Sequence, residues 1–234
     1  MQRFYLPQEN FSSQRVISED KKLITQLAKV LRAKHGDRFF LFYGDGREFL
    51  TQLVSLTGKK VEFLIVDEIL GQKELKQEIV LYQSLLKADK LDWIIQKAVE
   101  LGVTKIIPVI SEHCVVRSVS TAKKIRYEQI IKEATEQCGG TKLAIISNPI
   151  PYLQAVATLG SEPAHKLIAW ERSDSRQPEV TTKKKINLFI GPEGGYSETE
   201  ILTAEENGLV AFSLGKRILR AETAALTALA RLTG

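Results

Sequence analysis

The amino-acid sequence predicts an α/β protein in which a small β-rich N-terminal domain precedes a larger domain built on a mainly parallel sheet. Residues 1–71 contain strand-like segments separated by glycine-bearing breaks, whereas short apolar strands alternate with helices from residue 74 to residue 234. Such alternation is typical of a parallel sheet covered by helices. The segment Gly71-Gln72-Lys73 separates the two patterns and is expected to be a linker.

The N-terminal domain is expected to form a small β-barrel or sheet. A helix is predicted over residues 20–34, because Leu23, Leu27, Val30 and Leu31 recur at helical spacing. Three strands are predicted over residues 38–43, 48–56 and 60–69. The glycines that separate these strands indicate hairpins.

The C-terminal domain is expected to alternate strands and helices throughout. Strands are predicted over residues 79–85, 105–110, 143–146, 167–170, 186–190 and 211–214. Helices are predicted over residues 91–101, 122–137, 197–207 and 222–232. The third of these helices has the clearest start, because Ser197 and Glu200 have the spacing of a capping box. Asp92 and Glu100 are expected on the solvent side of the first helix.

Composition limits the classes of function. Lys and Arg number 33 against 28 Asp and Glu, for a net charge of +5, which modestly favours an anionic partner such as nucleic acid. Two cysteines and three histidines are too few for a typical structural zinc site, so no metal is expected. The N-terminus is too short and polar for a signal peptide, and no apolar run approaches the ~20 residues that span a bilayer. A cytoplasmic protein without a membrane partner is therefore expected.

Several common catalytic motifs are absent from the sequence. It contains no P-loop, no dinucleotide-binding GxGxxG after the first strand of either part, no HExxH and no GxSxG elbow. The histidines His35, His113 and His165 are scattered, and a surface or hydrogen-bonded structural role is expected for each.

The most informative segment is the glycine loop, residues 191–195, with the sequence GPEGG. An apolar strand runs directly into it and a capped helix follows. Glycine permits positive φ and lets a ligand approach the backbone, and ligands in open α/β sheets bind beyond the carboxyl ends of strands. A tight strand-to-helix turn is the alternative, but four special residues in five exceed what a turn needs. The pattern favours a ligand site.

A second loop, residues 213–220, repeats the arrangement of strand, glycine, loop and helix. It contains Ile218 and Leu219, and burial inside the fold or against an adenine ring would account for these apolar side chains. Arg217 and Arg220 flank them. The alternative is a helix N-terminus with ordinary surface arginines.

These two loops resemble the cofactor loops of the SPOUT methyltransferases, whose C-terminal chain is tied in a deep trefoil knot. Over nearly its full length the chain closely resembles the RsmE family, bacterial 16S ribosomal RNA (uracil-N3) methyltransferases. The matching motifs are KLDWIIQKAVELGV at 90–103, EATEQC at 133–138, GPEGGYS at 191–197 and LGKRILRAETAA at 214–225. Residues 30–32 with 36–37 match the family's PUA-like RNA-binding barrel.

The resemblance implies a fold, an activity and partners. Residues 1–71 would form a PUA-like RNA-binding β-barrel, and residues 74–234 a knotted SPOUT methyltransferase domain. The implied reaction is S-adenosylmethionine-dependent methylation of uridine N3 in 16S ribosomal RNA of the small ribosomal subunit. The family also implies a homodimer in which each cleft is completed by the partner.

The resemblance further implies which residues hold the cofactor. S-adenosylmethionine would bind in a bent conformation between the two loops and the end of an earlier strand. The implied cofactor-binding residues are Trp170, Glu171, Ile190, Gly191, Pro192, Glu193, Gly194, Gly195, Leu214, Gly215, Ile218, Leu219, Arg220, Ala221 and Thr223.

Catalytic and RNA-binding roles follow from the chemistry of the implied reaction. Uracil N3 must lose its proton as it attacks, so an arginine beside the carbonyl oxygens would stabilise the developing anion. Arg220 is the first candidate and Arg217 the second; Glu193 would act either as a base or in a structural, cofactor-adjacent role. The target uridine is expected to turn out of its stack. The candidates for phosphate contacts are Arg3, Arg15, Arg32, Lys34 and Arg117.

Two departures from the family pattern stand out. His113-Cys114 replaces an arginine-serine pair, and Gly139-Gly140 replaces a glycine-arginine pair. Both are expected to affect RNA contacts and not the cofactor loops. Two other functions remain open: methylation of another RNA nucleotide, or RNA binding by a non-catalytic ribosome assembly factor.

Overall fold

The computed structural model describes residues 1–71, 73–160, 163–174 and 184–233, and the chain divides into two compact units. The first unit comprises residues 1–74 and 135–143, and the second comprises residues 75–134 and 144–234. Residues 135–143 thus belong with the N-terminal unit, although residues 135–138 are the end of a helix that begins in the other unit. Gln72, in the middle of the predicted linker, lies outside the described residues.

The first unit is a five-stranded mixed sheet with one short helix. The strands are β1 (Arg3–Tyr5), β2 (Arg15–Ser18), β3 (Arg38–Phe42), β4 (Arg47–Leu56) and β5 (Val61–Leu70), in the order β1-β3-β4-β5-β2. Only β1 and β3 pair in parallel. Leu27, Leu41, Leu53 and Phe63 are buried in its core.

The helix of the first unit is shorter than predicted. Helix α1 (Lys21–Thr25) begins at Asp20, whose carboxylate accepts hydrogen bonds from two backbone amides, and it continues as a π-helical turn (Gln26–Val30). The helical segment ends there, and Arg32 has a positive φ of 51°. Residues 31–34 of the predicted helix are therefore not helical.

The second unit is a seven-stranded parallel sheet with helices, which confirms the predicted fold class. Its strands are β6 (Glu78–Ser84), β7 (Lys105–Ile110), β8 (Ile145–Ile146), β9 (Ile150–Pro151), β10 (His165–Ala169), β11 (Lys185–Ile190) and β12 (Val210–Phe212). Its helices are α2 (Lys90–Glu100), α3 (Thr121–Cys138), α4 (Tyr152–Ala157), α5 (Glu198–Glu206) and α6 (Ala221–Thr233). The strand order is β12-β10-β11-β6-β7-β8, with β9 also paired to β7, and every described pairing in this sheet is parallel.

The core of the second unit fixes the strands that carry the predicted loops. Phe189 of β11 stacks on Tyr82 of β6 with ring centroids 4.2 Å apart, and Tyr152 of α4 packs edge-on against the same phenylalanine. These rings, with Ile168 and Ile201, form one buried cluster. This cluster packs helices α4 and α5 against the sheet whose strands β10, β11 and β12 lead into the predicted site.

The predicted start of α5 is confirmed. The Ser197 hydroxyl accepts a hydrogen bond from the Glu200 amide, and the Glu200 carboxylate accepts one from the Ser197 amide, which completes the capping box. Strands β1, β2 and β9 and helix α4 were not predicted. No helix among the described residues is long and apolar enough to cross a membrane.

The prediction for Asp92 was wrong. This residue is only 8% exposed, because Arg126 of α3 covers it and donates a hydrogen bond of 2.5 Å from Nε to the Asp92 carboxylate. The apolar residues of the α2 stripe are buried as predicted, but Asp92 is buried as well, against the Arg126 side chain of α3.

Candidate active site

A cavity of about 530 Å³ lies where three neighbouring parallel strands end. Strands β12, β10 and β11 are adjacent, so the residues after Phe212, Ala169 and Ile190 meet at one edge of the sheet. This volume is within the usual range for a small-molecule site. The lining residues are Lys90, Ala169, Trp170, Glu171, Ile190, Gly191, Pro192, Glu193, Gly194, Gly195, Tyr196, Ser213, Leu214, Gly215, Arg217, Ile218, Leu219, Arg220, Ala221 and Ala224.

The cavity brings together the residues that the resemblance assigned to the cofactor, with one exception. Thr223 is exposed on α6 and does not line it. Ala169, Tyr196, Ser213 and Ala224 also line the cavity, within or next to the predicted segments, although they were not assigned to the cofactor. Lys90 is different, since it comes from a distant part of the chain.

The glycine loop has a conformation that larger residues would not adopt. Gly195 has a φ of +71°, and its amide donates a 3.0 Å hydrogen bond to the Pro192 carbonyl. A Cβ added to Gly194 would lie 2.9 Å from the His113 Cβ, and one added to Gly191 would lie 3.2 Å from the Tyr196 ring. Glycine is therefore needed at 195 for its backbone angle, and at 194 and 191 for close packing.

Glu193 is tied to the segment that begins α2. Its carboxylate accepts hydrogen bonds from Lys90 Nζ at 2.9 Å and from the Lys87 amide at 3.2 Å. Partial burial raises the pKa of Glu193, but the hydrogen bonds from Lys90 and the backbone, with the Lys90 charge, lower it further, to a net position below its ordinary value. The residue is therefore an ionised anchor at neutral pH.

Hydrogen bonds from Ser213 and Arg231 fix the backbone of the second loop, most of whose residues line the cavity. Ser213 Oγ lies 3.1 Å from the Gly215 carbonyl oxygen, to which it donates, and Arg231 of α6 donates to the Leu214 carbonyl at 3.1 Å. Ile218 is 85% exposed, so the alternative that it is buried inside the fold is wrong. Leu219 is half-buried.

Arg217 and Arg220 both line the cavity and are exposed. Neither forms an ion pair with any residue that the structure describes. Two cationic groups are therefore available at the cavity for an anion or a polarised carbonyl.

The candidate phosphate contacts have different surroundings. In the first unit, Arg3 pairs with Glu48 at 3.1 Å and Arg15 pairs with Glu62, so their charges are partly neutralised. Arg32 and Lys34 are exposed. In the second unit, Arg117 is exposed and donates to the Glu112 carbonyl at 3.0 Å.

The described residues contain no group of three or more His, Cys, Asp or Glu side chains that could hold a metal ion. Cys114 is buried and Cys138 half-buried, and both are free thiols.

Comparison with known families gives the class of protein. Residues 73–233 match the RNA methyltransferase domain, and residues 27–66 match the RNA methyltransferase PUA domain. A parallel α/β domain with its cavity at the strand ends, preceded by a mixed sheet of the PUA type, thus defines an RNA methyltransferase.

Individual relatives give the family. The chain is 32% identical, over 93% of its length and 89% of the relative's, to ribosomal RNA small subunit methyltransferase E of Buchnera aphidicola. It is 36% identical, over 87% of its length and 83% of the relative's, to the enzyme of the same name from Rickettsia conorii. The chain belongs to the ribosomal RNA small subunit methyltransferase E family, which confirms the resemblance to RsmE.

Solved structures agree with this assignment. The crystal structure of a ribosomal RNA small subunit methyltransferase E from Neisseria gonorrhoeae bound to S-adenosylmethionine matches with a TM-score of 0.85 and 38% identity, over 98% of this chain and 95% of the other. A Legionella pneumophila structure with bound S-adenosylmethionine matches with a TM-score of 0.86 and 33% identity, over 97% and 95%.

Proposed function

We propose that this chain methylates N3 of a uridine in 16S ribosomal RNA, with S-adenosylmethionine as the methyl donor. The observation that carries the proposal is the cavity at the ends of β10, β11 and β12, where the glycine loop and the second loop meet two exposed arginines. The relatives, which are named as small-subunit ribosomal RNA methyltransferases, support the substrate class.

The residues present fit the cofactor. The glycine loop offers a backbone cradle, since side chains at 191 and 194 would collide with Tyr196 and His113. Ile218 and Leu219 offer apolar surface at the same cavity, against which a flat ring can pack. When bound, S-adenosylmethionine supplies a methyl group that is already activated. The chain then needs mainly to position the uridine and to stabilise charge.

Arg220 and Arg217 supply that charge stabilisation. Loss of the N3 proton places negative charge on the uracil carbonyl oxygens, and a guanidinium donates planar, charged hydrogen bonds to such oxygens. Arg220 is the first candidate because it also ends the second loop: its carbonyl accepts the Ala224 amide at 2.8 Å and so starts α6. Its backbone is thereby fixed beside the cavity.

Glu193 is the anchor of the glycine loop and not the base. Its carboxylate oxygen is committed to Lys90 and Lys87, and its lowered pKa makes it a weak proton acceptor at neutral pH.

RNA would be held by both units. In the first, Arg32 and Lys34 are exposed cations of the PUA domain, and in the second, Arg117 is exposed. A homodimer and threading of the C-terminal chain into a trefoil knot stay predictions that rest on the family, and a cytoplasmic location stays a prediction that rests on the sequence. Analytical ultracentrifugation tests the first of these.

The central test replaces Arg220 by alanine. Turnover should fall about 100-fold, as when one preorganised donor to a transition-state anion is removed, while the dissociation constant for S-adenosylmethionine changes less than about twofold. Lys216→Ala is the matched control, because Lys216 is an exposed cation of the same loop that does not line the cavity. Equal turnover in Arg220→Ala and the wild type would remove Arg220 from the mechanism.

The position of methylation is tested in cells. Mass mapping of 16S ribosomal RNA from a deletion strain should show the loss of one N3-methyluridine, which the wild-type chain restores. Loss of a methyl group on another nucleotide would favour the alternative specificity. A wild-type protein that binds no S-adenosylmethionine by calorimetry would favour a non-catalytic assembly factor.

A further inference from the structure

His113 contacts the glycine loop directly. Its Nδ1 lies 3.1 Å from the carbonyl oxygen of Gly194 and 3.1 Å from that of Gly195. Carbonyl oxygens only accept hydrogen bonds, so Nδ1 carries the proton and donates it to both. The expectation that the departure at 113–114 leaves the cofactor loops untouched was therefore wrong.

The turn that carries His113 is itself fixed. Ser111 Oγ lies 3.0 Å from Ser84 Oγ at the end of β6, and the buried Cys114 thiol donates to the Leu85 carbonyl at 3.4 Å. The Cys114 amide donates to the Ser111 carbonyl at 3.2 Å, which closes the turn. His113 is thus held next to the loop by a turn that is hydrogen-bonded to Ser84 and Leu85 at the end of β6.

The same turn is joined to the helix that follows the loop. Glu200, the capping residue of α5, accepts the Glu112 amide at 2.9 Å with Oε1 and the Ser197 amide at 3.0 Å with Oε2. Glu200 is 7% exposed, so this bridge is shielded from water. Residues 111–114 therefore contact both the glycine loop and the start of α5.

The contact sets the orientation of a peptide unit of the glycine loop. The C=O and N–H of one trans peptide unit point in opposite directions, so a Gly195 carbonyl that faces His113 turns the Tyr196 amide away from it. His113 also packs closely on the loop, because even a Cβ on Gly194 would lie 2.9 Å from the His113 Cβ. With Glu193 anchored to Lys90, the loop is held from two separate segments.

We propose that His113 is a positioning residue that holds the glycine loop in its cofactor-binding conformation. The proposal rests on the proposed function, since it takes S-adenosylmethionine as the ligand of the loop. It assigns to His113 an effect on cofactor affinity through the Gly194 and Gly195 carbonyls, and no direct contact with the RNA.

The test compares His113→Ala with His113→Asn, which keeps a side-chain donor near the position of Nδ1, and with His35→Ala, an exposed histidine of the first unit, as the control. Calorimetry on the full chain should show S-adenosylmethionine binding about fivefold weaker in His113→Ala, the effect of losing about one net hydrogen bond. Binding by His113→Asn should stay within about twofold of the wild type, and KM for the RNA should not change.

A second readout does not depend on the cofactor. Amide hydrogen exchange of the free protein should be faster in His113→Ala at Gly195, whose amide bonds to Pro192, with thermal stability unchanged. Unchanged cofactor affinity with a raised KM for RNA would overturn the proposal and make His113 an RNA contact. If the wild type binds no S-adenosylmethionine, the proposed function fails, whereas the exchange rates still decide whether His113 holds the loop.

Discussion

Replacement of Glu193 by glutamine distinguishes two roles for this residue: an anchor of the glycine loop and a general base. Glutamine keeps the shape and one acceptor oxygen, so it can still take the hydrogen bonds from Lys90 and the Lys87 amide, but it cannot accept a proton in catalysis. A base would lose about 10²–10⁴-fold in turnover when neutralised. If Glu193 is an anchor, the glutamine variant loses only the part of its contacts that depends on charge.

The geometry sets the size of that loss. The Lys90 and Glu193 side chains are 34% and 30% exposed, and their atoms lie 2.9 Å apart. Exposed pairs contribute about 0.2–1 kcal/mol, and hydrogen bonds to charged groups about 1.5–3 kcal/mol. A half-shielded pair therefore contributes about 1 kcal/mol, which limits the loss of cofactor affinity to about fivefold.

The assay measures the dissociation constant for S-adenosylmethionine and the turnover of Glu193→Gln, Lys90→Met and the double variant. Each single variant should bind about two- to fivefold more weakly with turnover within about twofold, and the double variant should be no weaker than the worse single one. Lys97→Met is the matched control, because Lys97 lies on the same helix and pairs with Glu100. A 100-fold fall in turnover for Glu193→Gln, without a similar fall for Lys90→Met, would refute the anchor role of Glu193.

The pH profile gives an independent check on the same residue. A carboxyl whose folded-state pKa is lowered stabilises the fold above its ordinary value of 4.5 and loses that contribution as the pH falls through the lower value. The anchor is thus intact throughout the neutral range. Any acid limb of activity near neutrality should persist unchanged in Glu193→Gln.

Two further predictions concern stability. Arg126→Ala should lower the free energy of unfolding by about 2 kcal/mol, because it leaves the Asp92 carboxylate, 10% exposed, without its cation; the value lies between those of surface and buried pairs. Urea unfolding at pH 7 measures this, and a loss no larger than that of the exposed Arg172→Ala would contradict it. Burial, with the nearby charges of Asp92 and Asp89, raises the pKa of Tyr127 to about 12, so stability should be full below pH 10 and fall as the pH rises from 10 through 12. Unfolding curves at pH 9 and 11 test this: a flat profile would be inconsistent with it, and Tyr127→Phe should weaken the decline.

Elements with a clear local pattern were predictable, whereas strands β1, β2 and β9 and helix α4 were not. Strand β11 was predicted because an apolar run is bounded by polar and glycine-rich segments, and α5 because its capping box is local in sequence. Strand β9 has two residues and α4 has six. Such segments are shorter than the window in which a hydrophobic period can be recognised.

The cavity was predictable to the extent that it consists of strand ends. In a parallel sheet all carboxyl ends meet at one edge, so a glycine loop after one strand and a second loop after another are expected to lie together. The contacts of Lys90 and His113 with the glycine loop were not predictable in this way, because they join segments 103 and 81 residues apart. Local patterns contain no information about such pairs.

The strand order explains why Trp170 and Glu171 belong to the site. Consecutive strands are usually neighbours, yet β11 and β12 are separated by β10, which pairs with both. The residues after β10 therefore lie between the two loops and line the cavity that the loops form. Glu171 approaches closely enough that a Cβ on Gly195 would lie 3.7 Å from its carboxylate oxygens, in van der Waals contact. Glu171 thus borders the glycine loop from the strand end that the topology places between the two halves of the site.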